Sequence, residues 1–273
     1  MKTKNKIKLA SIISKILIFF LGKKKIIVKR NSIFWNLNLN EGIDLKIFLL
    51  SNSERKILNL RKIIASNGYV NFIDCGANVG STALTLAKFY NKAKIFAIEP
   101  TFYAFNKLKK NIKLNPILKK RIKIFNYFIT NKKKKIENVY SSWNFYSEKN
   151  KHKTHLGTLK KINKKNIISL DKLIKKIKKK IDFIKIDTDG YEYVILKSGI
   201  NSIKKYKPII HIEFAPYLHK EFKYSSGELI SFITKQLKYE FYNEDFKKIN
   251  DIRNYIKKII DKSENFFLLP KIK

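Results

Sequence analysis

Residues 72–80 read FIDCGANVG, and this stretch decides the fold. An apolar run reaches Asp74, and two glycines, Gly76 and Gly80, follow it. A strand that ends in a glycine turn and feeds a helix opens the parallel α/β folds. Such turns usually hold anions, because free backbone amides gather at the helix N-terminus. Asp74 argues against that use here. A carboxylate at the strand end repels a diphosphate and favours a ligand that carries positive charge. The spelling is D-x-G-x-N-x-G, with Asn78 where the dinucleotide pattern G-x-G-x-x-G has a glycine.

Working outward, the next strand, KIFAIE, ends at Glu99 and is stopped by Pro100. A carboxylate there can accept both hydroxyl protons of an adenosyl ribose. It can also serve as a favourable charge ahead of the helix that starts near Phe102. A glycine turn with an acid, followed by a second acid one strand later, suits S-adenosylmethionine (SAM), which carries an ammonium and a sulfonium. Asp74, Gly76, Ala77, Asn78, Gly80, Glu99 and Pro100 are the expected cofactor residues.

The rest of the chain keeps the rhythm. Strand 69–75, helix 81–90, strand 94–99 and helix 102–114 alternate, and the last presents Phe105, Leu108 and Ile112 on one face. RIKIFNYFI (121–129) predicts a third strand, and a polar, irregular stretch runs from Thr130 to Asn166. Ser169 is a plausible N-cap for a helix bearing Leu170, Leu173, Ile174 and Ile177. IDFIKID and PIIHIEF predict further strands, with a helix at 192–198 between them closed by Gly199. Ser225 and Glu228 have capping-box spacing ahead of another helix, and YEFYNE with NFFLLP predicts a terminal antiparallel pair. The expectation is a doubly wound, Rossmann-like α/β sheet over residues 69–273.

Two segments precede it. Residues 25–68 alternate apolar and polar residues as far as Leu50, which predicts a β hairpin or meander with a turn at Asn40-Glu41-Gly42, then a linking helix. Residues 1–24 predict an amphipathic helix with Ile12, Ile13, Ile16, Leu17 and Phe20 on one face and Lys8, Ser11 and Lys15 on the other. Its apolar stretch is shorter than the ~20 residues a membrane span needs. It either lies in an anionic membrane interface or packs on its own domain.

The formal net charge is +39, yet 55 of the 60 basic residues are Lys. Arg is the residue suited to bidentate phosphate and base-edge contacts, so the excess reads as solvated surface and not as a nucleic-acid face. Cys75 is the only cysteine, so no intrachain disulfide can form, and a reducing compartment such as the cytoplasm is expected. If the N-terminal helix binds lipid, the place is peripheral, on the inner membrane face.

Taken together, FIDCGANVGSTALTLAK, IFAIEPTFYAFNKLKKNIKLNP, SLDKL, IDFIKIDTDGYEYVILKSG and PIIHIEF resemble the FkbM family of SAM-dependent methyltransferases, over roughly Trp35 to Phe214. The resemblance implies the class I methyltransferase fold with a seven-stranded sheet, and O-methylation of sugars or natural products. Asp187, Gly190 and Glu192 match the family's KID-x-x-G-x-E, while Thr188-Asp189 stand where many members have Val-Glu.

Methyl transfer needs alignment, water exclusion and a base. Asp187, Asp189 and His155 are the candidate catalytic residues, and Trp143, Glu192 and Glu213 the candidate substrate contacts. His155 and Asp187 compete for the role of base, and Asp187 could instead cap the following helix. His152 and His155 spell H-x-x-H, but no neighbouring cysteine or carboxylate completes a metal set, so no metal is expected. The expected partner is a small-molecule or glycan acceptor. A nucleic-acid methyltransferase is the enzyme alternative, although IDTDGYE stands where amino-group methylases of bases carry Asn/Asp-Pro-Pro-aromatic. A membrane-surface binding protein with a vestigial cofactor fold is the alternative from outside the enzymes.

Overall fold

The computed structural model describes residues 3–50, 54–131, 138–141, 145, 158–162 and 166–271. The chain opens with α1 (Thr3–Leu21), the hairpin β1 (Lys25–Arg30) and β2 (Ile33–Asn38), α2 (Gly42–Leu49) and a 3₁₀ segment at Arg55–Lys62. The hairpin turns at Asn31-Ser32, both in the left-handed region (φ 48° and 57°), as a two-residue hairpin turn requires. The Asn40-Glu41-Gly42 turn expected from sequence instead leads into α2. There the Asp44 carboxylate accepts from the Asn38 amide at 2.6 Å and ties the helix back to β2.

Next come β3 (Asn71–Cys75), α3 (Ser81–Phe89), β4 (Lys94–Ile98), α4 (Phe102–Lys113), α5 (Pro116–Lys119) and β5 (Ile122–Phe125). The expected third strand is broken in two. β5 joins the main sheet, whereas β6 (Phe128–Ile129) leaves it to pair with β9 (Ile167–Ile168). Asn126 marks the break, its side-chain amide donating to the carbonyls of Glu99 (2.9 Å) and Pro100 (3.0 Å). The stretch read as irregular holds the antiparallel pair β7 (Asn138–Ser141) and β8 (Thr158–Lys161).

The second half runs α6 (Leu170–Ile177), β10 (Phe183–Ile186), α7 (Glu192–Ser198), α8 (Ile200–Tyr206), β11 (Ile209–Phe214), α9 (Pro216–His219), α10 (Ser226–Ser231), a π-helical turn at Phe232–Leu237, β12 (Tyr239–Tyr242), α11 (Ile252–Lys257) and β13 (Glu264–Pro270). The caps are those the sequence spells. Ser169 accepts from the Lys172 amide, and Ser225 and Glu228 close a reciprocal box.

Seven strands form one sheet in the order β12-β13-β11-β10-β3-β4-β5. All pairings are parallel except those of β13, which runs antiparallel to both neighbours. From β3 the chain winds outward through β4 and β5, then returns to the other side of β3 for β10 and β11. The strand order reverses between β3 and β10, and ligands gather beyond the carboxyl ends of the strands at such a switch point.

Strand alternation builds two cores. Ile73, Cys75, Ile98, Ile184, Ile186, Ile210 and Ile212 face one, under α6, α7 and α10. Phe72, Ile95, Ala97 and Phe183 face the other, which they share with α3 and with Trp35, Leu37, Leu45 and Leu60. The segment 25–68 therefore has no core of its own; it roofs one face of the sheet.

Candidate active site

β3 reaches the switch point and turns at Gly76 (φ 80°), Asn78 (φ 48°) and Gly80 (φ 96°). A Cβ on Gly76 would lie 2.0 Å from the Asp187 carbonyl oxygen, so glycine is what lets the β3 turn close onto the end of β10. The turn amides already have acceptors. Gly76 and Ala77 donate to the Ile98 carbonyl at 3.0 and 2.9 Å, Gly80 to Ala77 at 2.8 Å, and Asn78 to Glu99 Oε2 at 3.0 Å. These four amides are thus not a phosphate cradle, which agrees with the acid at Asp74.

Glu99, just past β4, is buried and lines the cavity at the switch point. Its Oε1 accepts from the Thr101 amide (3.0 Å) and hydroxyl (2.6 Å), and Thr101 in turn caps α4. Glu99 therefore braces the helix start, as one of the two sequence readings has it, and also stands on the cavity wall. Burial raises its pKa, against the opposing pull of the Thr101 and Asn78 hydrogen bonds. Each carboxylate oxygen accepts more than one bond, so ribose hydroxyls can still be received.

Asp74 does not reach the cavity wall. Strand alternation turns it, with its register partner Lys185, to the sheet face roofed by the hairpin and α3. It is fully buried, and neither carboxylate oxygen has a hydrogen-bond partner among the described residues. Lys185 Nζ stands 3.7 Å from Asp74 Oδ1 and 2.9 Å from Asp187 Oδ2. Burial pushes the Asp74 carboxyl up to about 6, with the Lys185 charge only partly offsetting it. Burial would raise Asp187 too, but the closer ammonium holds its carboxyl below the ordinary value. Asp74 acts on the site through Lys185, a residue sequence reasoning passed over; its signal was a lysine inside an otherwise apolar strand.

The loop after β10 carries the remaining acids. Asp189 is left-handed (φ 51°) and open to the cavity mouth, and Gly190 (φ 104°) follows under the Phe222 ring. Confinement by the surrounding protein, together with Asp187, Glu192 and Glu99, pushes the Asp189 carboxyl up to about 7. Glu192, expected at the substrate, is fully buried behind the loop. Its Oε1 accepts from the Thr188 amide and hydroxyl, both at 3.0 Å, and from the Gly190 amide at 3.2 Å, so it shapes the loop. Glu213, on β11, does not line the cavity either. Burial and the charges of Asp187, Asp189 and Glu192 raise its pKa well above the ordinary value.

The cavity encloses about 600 Å³ with its mouth included. Gly76, Asn78, Glu99, Pro100, Asp187 and Asp189 line it, six of the thirteen residues expected at the site; Ala77 and Gly80 shape the turn without lining the cavity. Its apolar wall was not foreseen: Tyr127, Phe128 and Ile129 come from the broken third strand, Val139 from β7, and Tyr191 and Ile195 from the start of α7. Phe128 and Tyr191 pack edge to face at 5.0 Å, and Tyr191 packs on Phe222 at 4.6 Å. Trp143, His152 and His155 lie outside the described residues. His211 is buried against Phe267, and His219 is buried with Nδ1 2.9 Å from Ser226 Oγ, its pKa lowered to about 4 by burial. Cys75 is fully buried and its thiol is pushed far up by burial, so it is inert packing.

These features fit SAM. An aromatic and aliphatic wall suits an adenine ring, and Glu99 sets a carboxylate on the same wall. The sheet order, its single antiparallel strand and this crevice define a class I SAM-dependent methyltransferase fold. A family model described as the methyltransferase FkbM domain matches residues 74–241, and the chain belongs to that family; its cofactor is SAM. No curated protein sequence matches the chain. Similar solved structures include the methyltransferase FkbM from Methylobacillus flagellatus KT, at 16% identity and TM-score 0.46, covering 76% of this chain and 45% of that one. This chain therefore spans less than half the length of that protein. The METTL16 methyltransferase domain is similar at 12% identity and TM-score 0.49, covering 89% and 75%. TYW2 of M. jannaschii, in complex with AdoMet, is similar at 14% identity and TM-score 0.41, covering 90% and 84%.

Proposed function

We propose that the chain transfers the methyl group of SAM to a hydroxyl of a sugar, glycan or small polyol, in the cytoplasm or against its membrane face. The observation that carries this reading is the place of Asp189, a carboxylate exposed at the cavity mouth two residues beyond Asp187, where confinement by the surrounding protein and neighbouring carboxylates raise its pKa. A hydroxyl must lose its proton as the methyl arrives, and a base with a pKa near the working pH takes it best. When bound, SAM supplies an electrophilic methyl on sulfur. The chain's own residues do the rest.

Glu99 and the turn hold the adenosyl end, and the Phe128 and Tyr191 wall keeps water from it. Lys185 keeps Asp187 ionised and in place, which leaves Asp189 as the carboxyl that gains and loses a proton near neutral pH. Asp187 and Asp189, two carboxylates side by side on the cavity wall, suit an acceptor with several adjacent hydroxyls. Transfer of labelled methyl from SAM to fractionated extracts tests the reading: label in glycan or polyol supports it, and label confined to RNA or protein overturns it.

A further inference from the structure

α1 carries two apolar stripes where the sequence suggested one. Ile7, Ala10, Ile13, Leu17 and Ile18 pack onto the core shared by the hairpin and α3, and Ser14 is fully buried, with its hydroxyl 3.4 Å from Asn40 Oδ1. Leu9, Ile12, Ile16, Phe19 and Phe20 form a second, exposed stripe. It is exposed by 47% at Ile12 and 82% at Phe19. The Phe19 and Phe20 rings stand together at its end, edge to face at 5.5 Å. At 100° per residue, Lys8 and Lys15 run along the edge of this ridge, and both are exposed. Lys23, Lys24 and Lys25 follow the helix, all exposed. The first acid in the chain is Glu41, so the 40 residues ahead of it carry ten basic side chains and no carboxylate side chain.

We propose that this ridge docks on an anionic lipid bilayer, lying in its surface. A convex line of apolar side chains with lysines alone beside it matches an interface in which rings and aliphatic chains enter the acyl boundary and ammonium groups stay among lipid phosphates. No helix among the described residues is long and apolar enough to cross a membrane. The inward stripe fixes the helix to the sheet, so docking fixes the orientation of the whole domain. The turn at Asn40 links the two sites: it meets Ser14 of α1, and its carbonyl accepts from the amide of Phe145, in the segment after the cavity-lining strand β7.

This inference is independent of the methyl-transfer reading, because vesicle binding and SAM binding are measured separately. The full chain is cosedimented with phosphatidylcholine vesicles with and without phosphatidylglycerol, beside the variant Leu9→Ser, Ile16→Ser, Phe19→Ser, Phe20→Ser. The parent is expected to bind only the anionic vesicles, and the variant at least about tenfold more weakly while its SAM affinity and melting temperature stay unchanged. Binding by the variant equal to the parent's overturns the proposal and assigns any affinity to the general lysine excess. No binding by the parent overturns it too, as does a parent dimer that the variant turns into monomers. Should the fourfold variant fail to fold, Phe19→Trp decides: fluorescence quenched by brominated anionic lipid beyond the parent's level supports docking, and none overturns it.

Discussion

Asp187 and Asp189 sit two residues apart and are driven in opposite directions, one by an ammonium at 2.9 Å and the other by confinement among like charges. Only the carboxylate form of Asp189 can accept a proton. Methyl transfer at saturating SAM is therefore expected to rise as pH climbs through about 7 and to level off above it. In Asp187→Asn a charge that raises Asp189 is gone, so that limb should move to lower pH; a stopped-flow pH profile reads both. Asp189→Asn should slow transfer by roughly 10²- to 10⁴-fold, with SAM affinity retained. His155→Ala is the comparator: loss there with Asp189→Asn unaffected would move the role of base to His155. Glu99→Gln places an amide donor against the donors of Asn78 or Thr101 and removes charge facing the ribose. SAM affinity by calorimetry should fall roughly tenfold or more.

At the scale of elements, the site depends on how closely two strand ends approach. Gly76→Ala would put a methyl 2.0 Å from the Asp187 carbonyl, so the β3 turn and the end of β10 must part. About 1–3 kcal/mol of stability should go, read as a lower urea midpoint, together with SAM binding. The helix caps were legible beforehand because Ser169, and Ser225 with Glu228, act on amides three residues away. The break between β5 and β6 was not. RIKIFNYFI is uniformly strand-like, and only the distant Glu99 and Pro100 carbonyls give Asn126 a reason to turn aside. α2 was hidden for a related reason, since its tie to β2 runs through Asp44, which is neutralised in part by Lys107 from α4.

For the molecule as a whole, a net charge of +39 on 273 residues works against compactness. Screening should relieve it. The melting temperature is expected to rise from low salt to ~0.15 M, where the Debye length is ~8 Å, and calorimetric scans at fixed pH check this. Vesicle docking through α1 should weaken over the same range in its electrostatic part only, because the exposed ridge contributes irrespective of salt.

The sequence by itself determined the succession of the seven strands of the main sheet, the acid-bearing glycine turn and the acid that follows it one strand later. Each of these is written in residues within a turn or two of one another. Period-two and 3.6-residue patterns, caps and glycine positions are local, so a linear reading reaches them. Only the tertiary structure decided that Lys185 stands between Asp74 and Asp187, that Glu192 is a loop clamp, and that α1 keeps one apolar stripe inside and one outside. Those outcomes come from register between strands a hundred residues apart and from which face of a helix meets the core. Side chains of the same type along the chain take opposite roles according to that geometry.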